Sequence, residues 1–540
     1  MSVTPITDSE LERREHIIAA YPDAFTDTYG TISCSPFLYK TGSSWPSPAL
    51  GPEMQPFLRR LYPVYNHSIT DSWPVILKNI QAYLSECSMR STAILGLGWG
   101  NQKDEIPFCP LLITIGVEPQ SVSSGDAKSA AEYIKENILY RAGFPALDVA
   151  IWELETSFSA GPRLRSLEPL DFKRDNAKYA HPFSSTLSLS IAPLKNPIYE
   201  GTASLFLRRD NNEHILLLTA AHVISPDIES SHNLQNEKVV ILGEGGYEKA
   251  THDINDWIGE LETLILKGSE FIKEKQQELV NNEGGRDQEK IAKLLRRKQE
   301  DVRRFIEDVT ELKRVRDDVE MKLPDINKRV IGHVLHADPI GVRQTESGSL
   351  TNDWAVIELN NDAFDDFDFE GNKVYIGEIS ERDFEKKMYP LDSERTRHMY
   401  PEDFLLPISS SVPPSEILNP TQHNKKGDPA MPVIKNGSTT GTTIGWLNGL
   451  ESLVTRRYGQ DGEHTFTSTE TTVIPYGGSR LGAFSEDGDS GSLILDRKGR
   501  IVGLLTGGGG LTNRTDVTFA TAWYALEPHI KDTLPGINLY

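Results

Sequence analysis

Three side chains far apart in this sequence have the types needed to turn a hydroxyl into a nucleophile. Ser490 stands in "SEDGDSGSLILD", flanked by Gly488, Asp489 and Gly491. A serine hydroxyl attacks poorly near neutral pH, so a base must take its proton, and imidazole suits the task with an ordinary pKa of ~6.5. His222 in "LLLTAAHVIS" offers that base just after a strand-like run. The imidazole needs a carboxylate to fix its tautomer and stabilise the cation that forms. Asp353 in "LTNDWAVIELN" stands just before another such run. Gly488, two residues before Ser490, lets the chain turn the N–H groups of Gly488 and Ser490 toward one developing oxyanion. The chemistry implied is acyl transfer through a covalent serine ester.

Taken singly, each residue has a plainer explanation. Ser490 between glycines makes a turn, His222 fits a satisfied core position, and Asp353 can cap a strand. Their conjunction in one order, each at a strand boundary, favours catalysis. The lipase type of nucleophile turn is excluded, because it needs glycine two positions after the serine, where Ser492 stands, and places serine before histidine. His333 and His336 in "IGHVLHA" are three apart, which on a strand points them to opposite faces, so no metal site is expected there. No cofactor is expected either.

The elements that must position these residues are short strands. "LSLSIAPL", "GTASLFLRRD" and "HILLLTAAHVI" lead up to His222, with a turn at Asp210–Asn212. After residue 328 come "RVIGHVLHA", "WAVIEL", "KVYIGEI", "TTIGWL", "TSTETTVI", "GSLILD", "RIVGLLTG" and "VTFATAW". Many short strands between Gly, Pro, Asn and Asp turns predict antiparallel barrels or sandwiches. Between the two sets, residues 253–329 carry Ile254, Ile258, Leu261 and then Ile291, Leu295, Val302, Phe305, Val309, Leu312, Val319 at steps of three and four, on both sides of "NNEGGRDQ". That seam predicts an antiparallel, coiled-coil-like helical hairpin inserted into a β domain and stopped by Pro324. The seam is either used up between its own helices or serves partner docking or self-association. Residues 1–185 read as a small α/β domain: a helix in "DSWPVILKNIQAYLSEC" with Asp71 and Ser72 as possible caps, a strand at Pro110–Val117, a helix ending at Gly143, and the strand "LDVAIWELE".

Composition limits the partners. A net charge of −22 over 540 residues disfavours a nucleic-acid surface, which needs clustered Lys and Arg. No apolar run approaches the ~20 residues that span a bilayer, and the N-terminus lacks a basic region followed by an apolar core. Cys34, Cys87 and Cys109 are too few for a disulfide framework, and sequons at Asn66, Asn436 and Asn513 carry little weight in such a chain. The expected setting is intracellular and cytoplasmic.

"TAAH", a D-x-A-x-I strand and "GDSGS", in that order, resemble the chymotrypsin-like serine proteases. "KNGSTTGTTIG", "GDSGSL", "GLLTGG" and "TFATAW" resemble the bacterial, streptogrisin-like branch more than the animal digestive enzymes. The resemblance covers roughly residues 186–252 and 328–530, and implies a protease domain at 186–252 plus 330–540 with a mainly β double-barrel fold. It implies His222 as general base, Asp353 as its orienting carboxylate, Ser490 as nucleophile, Gly488 and Ser490 as oxyanion donors, and Thr506, Gly507 and Gly508 as the strand edge that pairs with a protein or peptide substrate. His222 and Asp353 lie 131 positions apart; the helical segment 253–329 takes up 77 of these and leaves 54, close to the family's usual few dozen.

The departures are informative. Val223 and Glu486 replace cysteines of animal relatives. No Ile-Val-Gly-Gly start is present to pair with Asp489, so that carboxylate needs another partner or a processing event elsewhere. Phe484, at the base of the implied substrate pocket, offers no counterion to a basic side chain, and Leu505 stands where glutamate-cutting relatives use histidine. An apolar preference follows. The alternative is a catalytically silent, protease-derived scaffold that works through the helical hairpin.

Overall fold

A computed structural model describes residues 8–26, 28–30, 36–46, 58–102, 104–158, 176–210, 214–225, 234–281, 288–345, 348–361, 371–397, 399–458, 464–477, 482–511 and 514–540. Cys34, the Asn211–Asn212 turn, the Gly284–Gly285 turn and Asn513 lie outside these residues.

The chain is multi-domain and rich in sheet. Its first strands are β1 (Phe37–Lys40), β2 (Arg59–Tyr62), β3 (Ser91–Asn101), β4 (Cys109–Val117), β5 (Asp148–Glu153) and β6 (Glu155–Phe158), with helices α1 (Asp8–Ala20), α2 (Trp73–Glu86) and α3 (Ser124–Tyr133). Helix α2 buries Trp73, Ile76, Leu77, Ile80 and Leu84, one face at helical spacing. Ser72 occupies its N-cap position but makes no side-chain cap bond, because a tight turn at Thr70–Ser72 already leads into the helix. Helix α3 is capped by Ser123, which accepts from Asp126 N–H, and continues as a π-helical stretch to Leu139, short of Gly143. Strands β4 and β5 are parallel, with α3 as their crossover.

A closed barrel follows. It is built from β7 (Leu189–Pro193), β8 (Gly201–Arg209), β9 (Ile215–Thr219), β10 (Lys238–Ile241), β11 (Val330–Ala337) and β14 (Ala355–Leu359). They pair in the order β8-β7-β10-β11-β14-β9, and β9 returns to β8 to close the ring. Closure leaves no unpaired edge within the ring. Both faces of the ring are covered: Leu205, Leu216, Leu218, Val239, Val334, Val356 and Trp354 are at most 1% exposed. The hairpin β12 (Gly341–Thr345)–β13 (Gly348–Asn352) precedes β14. After β15 (Lys373–Tyr375) and β16 (Leu405–Pro407), which pair with each other, the chain forms β17 (Pro432–Gly437), β18 (Gly441–Leu447), β19 (Ser452–Tyr458), β20 (His464–Pro475), β21 (Leu493–Asp496), β22 (Ile501–Leu511), β23 (Arg514–Ala522) and β24 (Ile537–Leu539). Strands β17, β18, β20, β23, β22 and β21 pair in sequence, and β21 returns to β17.

Two boundaries differ from the sequence expectation. The helical pair is α6 (Glu244–Asn281) and α7 (Gln288–Lys322), so it starts nine residues before 253; the short helices α4 (Asn176–Ala180) and α5 (Ala221–Ile224) precede it. The earlier start has a physical reason. Glu200, 1% exposed, accepts from the Gly246 N–H at 2.6 Å in the first turn of α6, where an anion is stabilised by unpaired N–H groups. The pair leaves the barrel between β10 and β11, which still pair with each other. Ile254, Trp257, Ile258, Leu261, Val309 and Leu312 form its buried base, and Tyr179 of α4 stacks on Trp257 at 5.5 Å.

The second difference concerns residues 1–185, which do not stand apart from the rest. Strand β3 pairs with β19 (Ile94 with Leu453, Ala93 with Val454), so the N-terminal sheet runs on into the second set of strands. Phe37, Trp99 and Trp152 share one buried cluster with Val454, Ile474, Val517 and Phe519. The glycine-rich run "ILGLGWG" forms much of β3, and its glycines give space: a Cβ on Gly100 would press on the Tyr62 ring and the backbone of Pro107.

Candidate active site

His222 sits in α5, immediately after β9, and its ring is 2% exposed. Its Nδ1 lies 2.6 Å from Oδ2 of Asp353, and its backbone N–H donates to Oδ1 of the same carboxylate at 3.0 Å. Asp353 occupies the step between β13 and β14 and is 1% exposed. Both carboxylate oxygens are therefore used on one histidine, which fixes the ring plane and favours the tautomer with hydrogen on Nδ1.

The loop that carries Ser490 is bonded to the barrel that carries His222. Thr202 of β8 donates its N–H to the Ser490 carbonyl at 2.8 Å and its hydroxyl to the Gly488 carbonyl at 2.9 Å. The Thr202 hydroxyl also accepts from Ser438 N–H at 3.0 Å, and its carbonyl accepts from Thr219, three residues before His222. Ser204 donates to the Gly491 carbonyl. Gly488 and Gly491 adopt φ of +99° and +87°, a region that costs a residue with a Cβ. A methyl at Gly491 would strike the Thr202 carbonyl and crowd the Ala220 N, and one at Gly488 would strike the Thr439 hydroxyl. The Gly-Asp-Ser-Gly pattern is thus required by close approach on both sides of Ser490.

Asp489 has a buried cationic partner within the chain. Lys435 of β17, fully buried, donates to its Oδ2 at 3.0 Å. Thr439 and Thr440 N–H groups donate to Oδ1 at 2.9 and 3.1 Å, and the Thr440 hydroxyl and Glu486 N–H donate to Oδ2 at 2.6 and 3.0 Å. Burial by itself would raise the carboxyl pKa, but Lys435 and these donors outweigh it and hold Asp489 below the ordinary carboxylate value. Its neighbour Asp487 moves the other way: burial first, then the Asp489 charge, raise it, while His222 draws it down. A second carboxyl, beside that of Asp353, therefore lies close enough to feel the imidazole.

The strand edge lies alongside. The Ser490 hydroxyl is 3.4 Å from the Thr506 carbonyl. Behind that edge, fully buried Arg456 donates to Glu470 at 2.7 Å, to the Thr351 hydroxyl at 3.1 Å and to the Thr506 hydroxyl at 3.3 Å, tying β19, β20, β13 and β22 together. Gly507 and Gly508 pair with Phe519 and Thr518 on one side. Phe484 is 1% exposed and packs among Met431, Val433, Val473 and Leu505 in the apolar interior.

The residues missed by sequence reasoning are Thr202, Ser204, Lys435, Thr440 and Arg456. Lys435 carried a signal, since a lysine inside the apolar run "MPVIKNG" must find an anion if the strand is buried. His333 lies near Glu358, and His336 contacts Asp338 at 2.7 Å. Among the described residues, no group of three metal-binding side chains converges and no helix is long and apolar enough to cross a membrane.

No protein-family model matches the chain, and no curated protein matches it. Among solved structures, an inactive mutant form of Rv3671c from M. tuberculosis H37Rv matches over 68% of this chain and 95% of its own, with 11% identity and a TM-score of 0.25. A likeness that loose adds nothing to the strand pairings and distances above.

Proposed function

We propose that this chain is a serine endopeptidase with a chymotrypsin-like double barrel. The observation that supports it most is the buried His222–Asp353 contact of 2.6 Å, with the Ser490 loop bonded to the same barrel through Thr202. In this reading the Ser490 Oγ attacks a peptide carbonyl carbon while His222 Nε2 takes its proton. The imidazolium is stabilised by Asp353 and gives that proton to the departing amine, leaving an ester on Ser490. Water then attacks the ester, His222 again acting as base, and the acid product leaves. The oxyanion of each step is received by the Gly488 and Ser490 amides, set by the positive φ of Gly488. The acyl side of the peptide pairs with Thr506–Gly508.

The buried Lys435–Asp489 pair supports a loop that is assembled without a new N-terminus. With Phe484 and Leu505 in the apolar interior, a cationic side chain at the cut bond would lack a counterion, so the preferred substrate is apolar there. A fluorophosphonate probe tests the assignment. Wild-type protein should be labelled on Ser490, and Ser490→Ala should lose the label entirely while keeping its melting temperature. Equal labelling of the variant refutes the reading, as does a folded wild type that never reacts.

A further inference from the structure

One edge of β22 runs past the nucleophile without a break. Leu504 pairs with Leu493 of β21, Leu505 exchanges backbone bonds with Gly491 and Ser492 at 2.8 and 2.9 Å, and the Thr506 carbonyl faces the Ser490 hydroxyl. The next four residues of that edge are occupied by the chain itself. Strand β6 pairs antiparallel with them: Phe158 with Gly507, Ser157 with Gly508, Thr156 with Gly509 and Glu155 with Gly510. It runs from Gly510 toward Gly507, so its direction leads to Ser490. An extended peptide that paired with this edge and presented its next carbonyl to Ser490 would take the same backbone path and the same direction.

The way β6 is held suits an occupant that can leave. Glu155 and Ser157 are exposed, and the Thr156 hydroxyl makes one bond to the Thr455 carbonyl at 3.2 Å. Four residues of strand pairing are marginal alone. The anchor lies upstream: Leu154 is 1% exposed, and Glu153 accepts from Arg13 and from Gln120 N–H at 2.9 Å each. Tethering at that anchor raises the effective concentration of β6 at the edge to a millimolar scale, ~mM for short linkers. A free peptide must compete with that.

We propose that Glu155–Phe158 is an internal occupant of the substrate edge, and that peptide turnover requires it to leave Gly507–Gly510. The proposal rests on the reading of Ser490 as nucleophile and Thr506–Gly508 as the substrate edge. It is tested on the full chain with two probes, a small fluorophosphonate that needs no strand edge and a tetrapeptidyl phosphonate that does. In T156P/S157P, proline removes the N–H groups that a strand needs. The peptidyl probe should react at least tenfold faster with this variant than with wild type, while the fluorophosphonate rate stays within twofold. An unchanged peptidyl rate in a folded variant overturns the proposal and leaves the protease reading intact. Failure of both probes on folded wild type overturns that reading and this inference with it. Hydrogen exchange on unmodified protein covers the case of a misfolded variant: attaching the peptidyl probe should strip protection from the Glu155–Phe158 amides, and retained protection would overturn the proposal.

Discussion

The loop around Ser490 and the paired helices α6 and α7 are both built from distant parts of the chain, yet they are held by different forces. Around Ser490 the connections are directional and dry: Asp489 alone accepts from Lys435, Thr439, Thr440 and Glu486, and Thr202 bonds to both Gly488 and Ser490. Along α6 and α7 the connections are a greasy seam with ion pairs on its outside, such as Lys313–Glu262 at 42% and 49% exposure. Directional bonds to buried charges hold a specific geometry and fail sharply when one partner is lost. Apolar contacts tolerate small shifts and fail in proportion to the volume removed. The loop around Ser490 has the first kind of support, and the helical arm has the second.

The largest effect should come from breaking the buried pair on one side. Lys435→Met leaves Asp489 as an uncompensated buried anion, a change that typically costs ~3–5 kcal/mol. Urea titration should show that loss, with fluorophosphonate labelling falling in parallel. The pH dependence sharpens the test. Asp489 has a lowered pKa in the folded state, so its contribution is fully present above the unfolded carboxylate value of ~3.9 and is lost as pH falls below it. In Lys435→Met the sign reverses, because a buried carboxyl without its cation is favoured in the protonated form. The variant should therefore gain stability relative to wild type on acidification. A variant whose deficit is the same at pH 7 and pH 4 would show that the pair does not hold the loop.

On the helical arm, Leu312 is fully buried against Ile254, Trp257, Ile258 and Leu261. Leu312→Ala should cost ~2–5 kcal/mol, within the range for removing a buried aliphatic side chain. The contrast lies in where the cost appears: probe labelling at Ser490 should stay within twofold, while hydrogen exchange rises along α6 and α7. Labelling that collapses with Leu312→Ala would mean the arm and the Ser490 loop form one cooperative unit.

The same contrast explains what could be read from the sequence. The seam of α6 and α7 was legible because helical periodicity writes burial directly into residue spacing, and only its start at Glu244, set by the distant Glu200, was hidden. The His222–Asp353 contact was legible because an imidazole that is to act as a base calls for a carboxylate beside it. Their supports were harder: Thr202 is an ordinary strand residue in "GTASLFL" until it meets a loop 286 positions away. Strand β6 was hardest. Its pairing with Gly507–Gly510 is main chain to main chain, and backbone bonds leave no mark on side-chain pattern.

The smallest expected effect lies on the outside of the arm. Lys313 and Glu262 are 2.6 Å apart across α7 and α6, but both are more than two-fifths exposed. Water screens the pair, and holding two long side chains in one geometry costs rotamer freedom, so Lys313→Ala should lose only ~0.2–1 kcal/mol. In 1 M salt, where screening acts over ~3 Å, the difference from wild type should vanish. A loss above ~1 kcal/mol that survives salt would mean that the lysine stem, not its charge, supports the seam by covering apolar surface. The arm would then depend on packing from its outer rim as well as its base, and the division between directional and apolar support would run through single side chains rather than between regions.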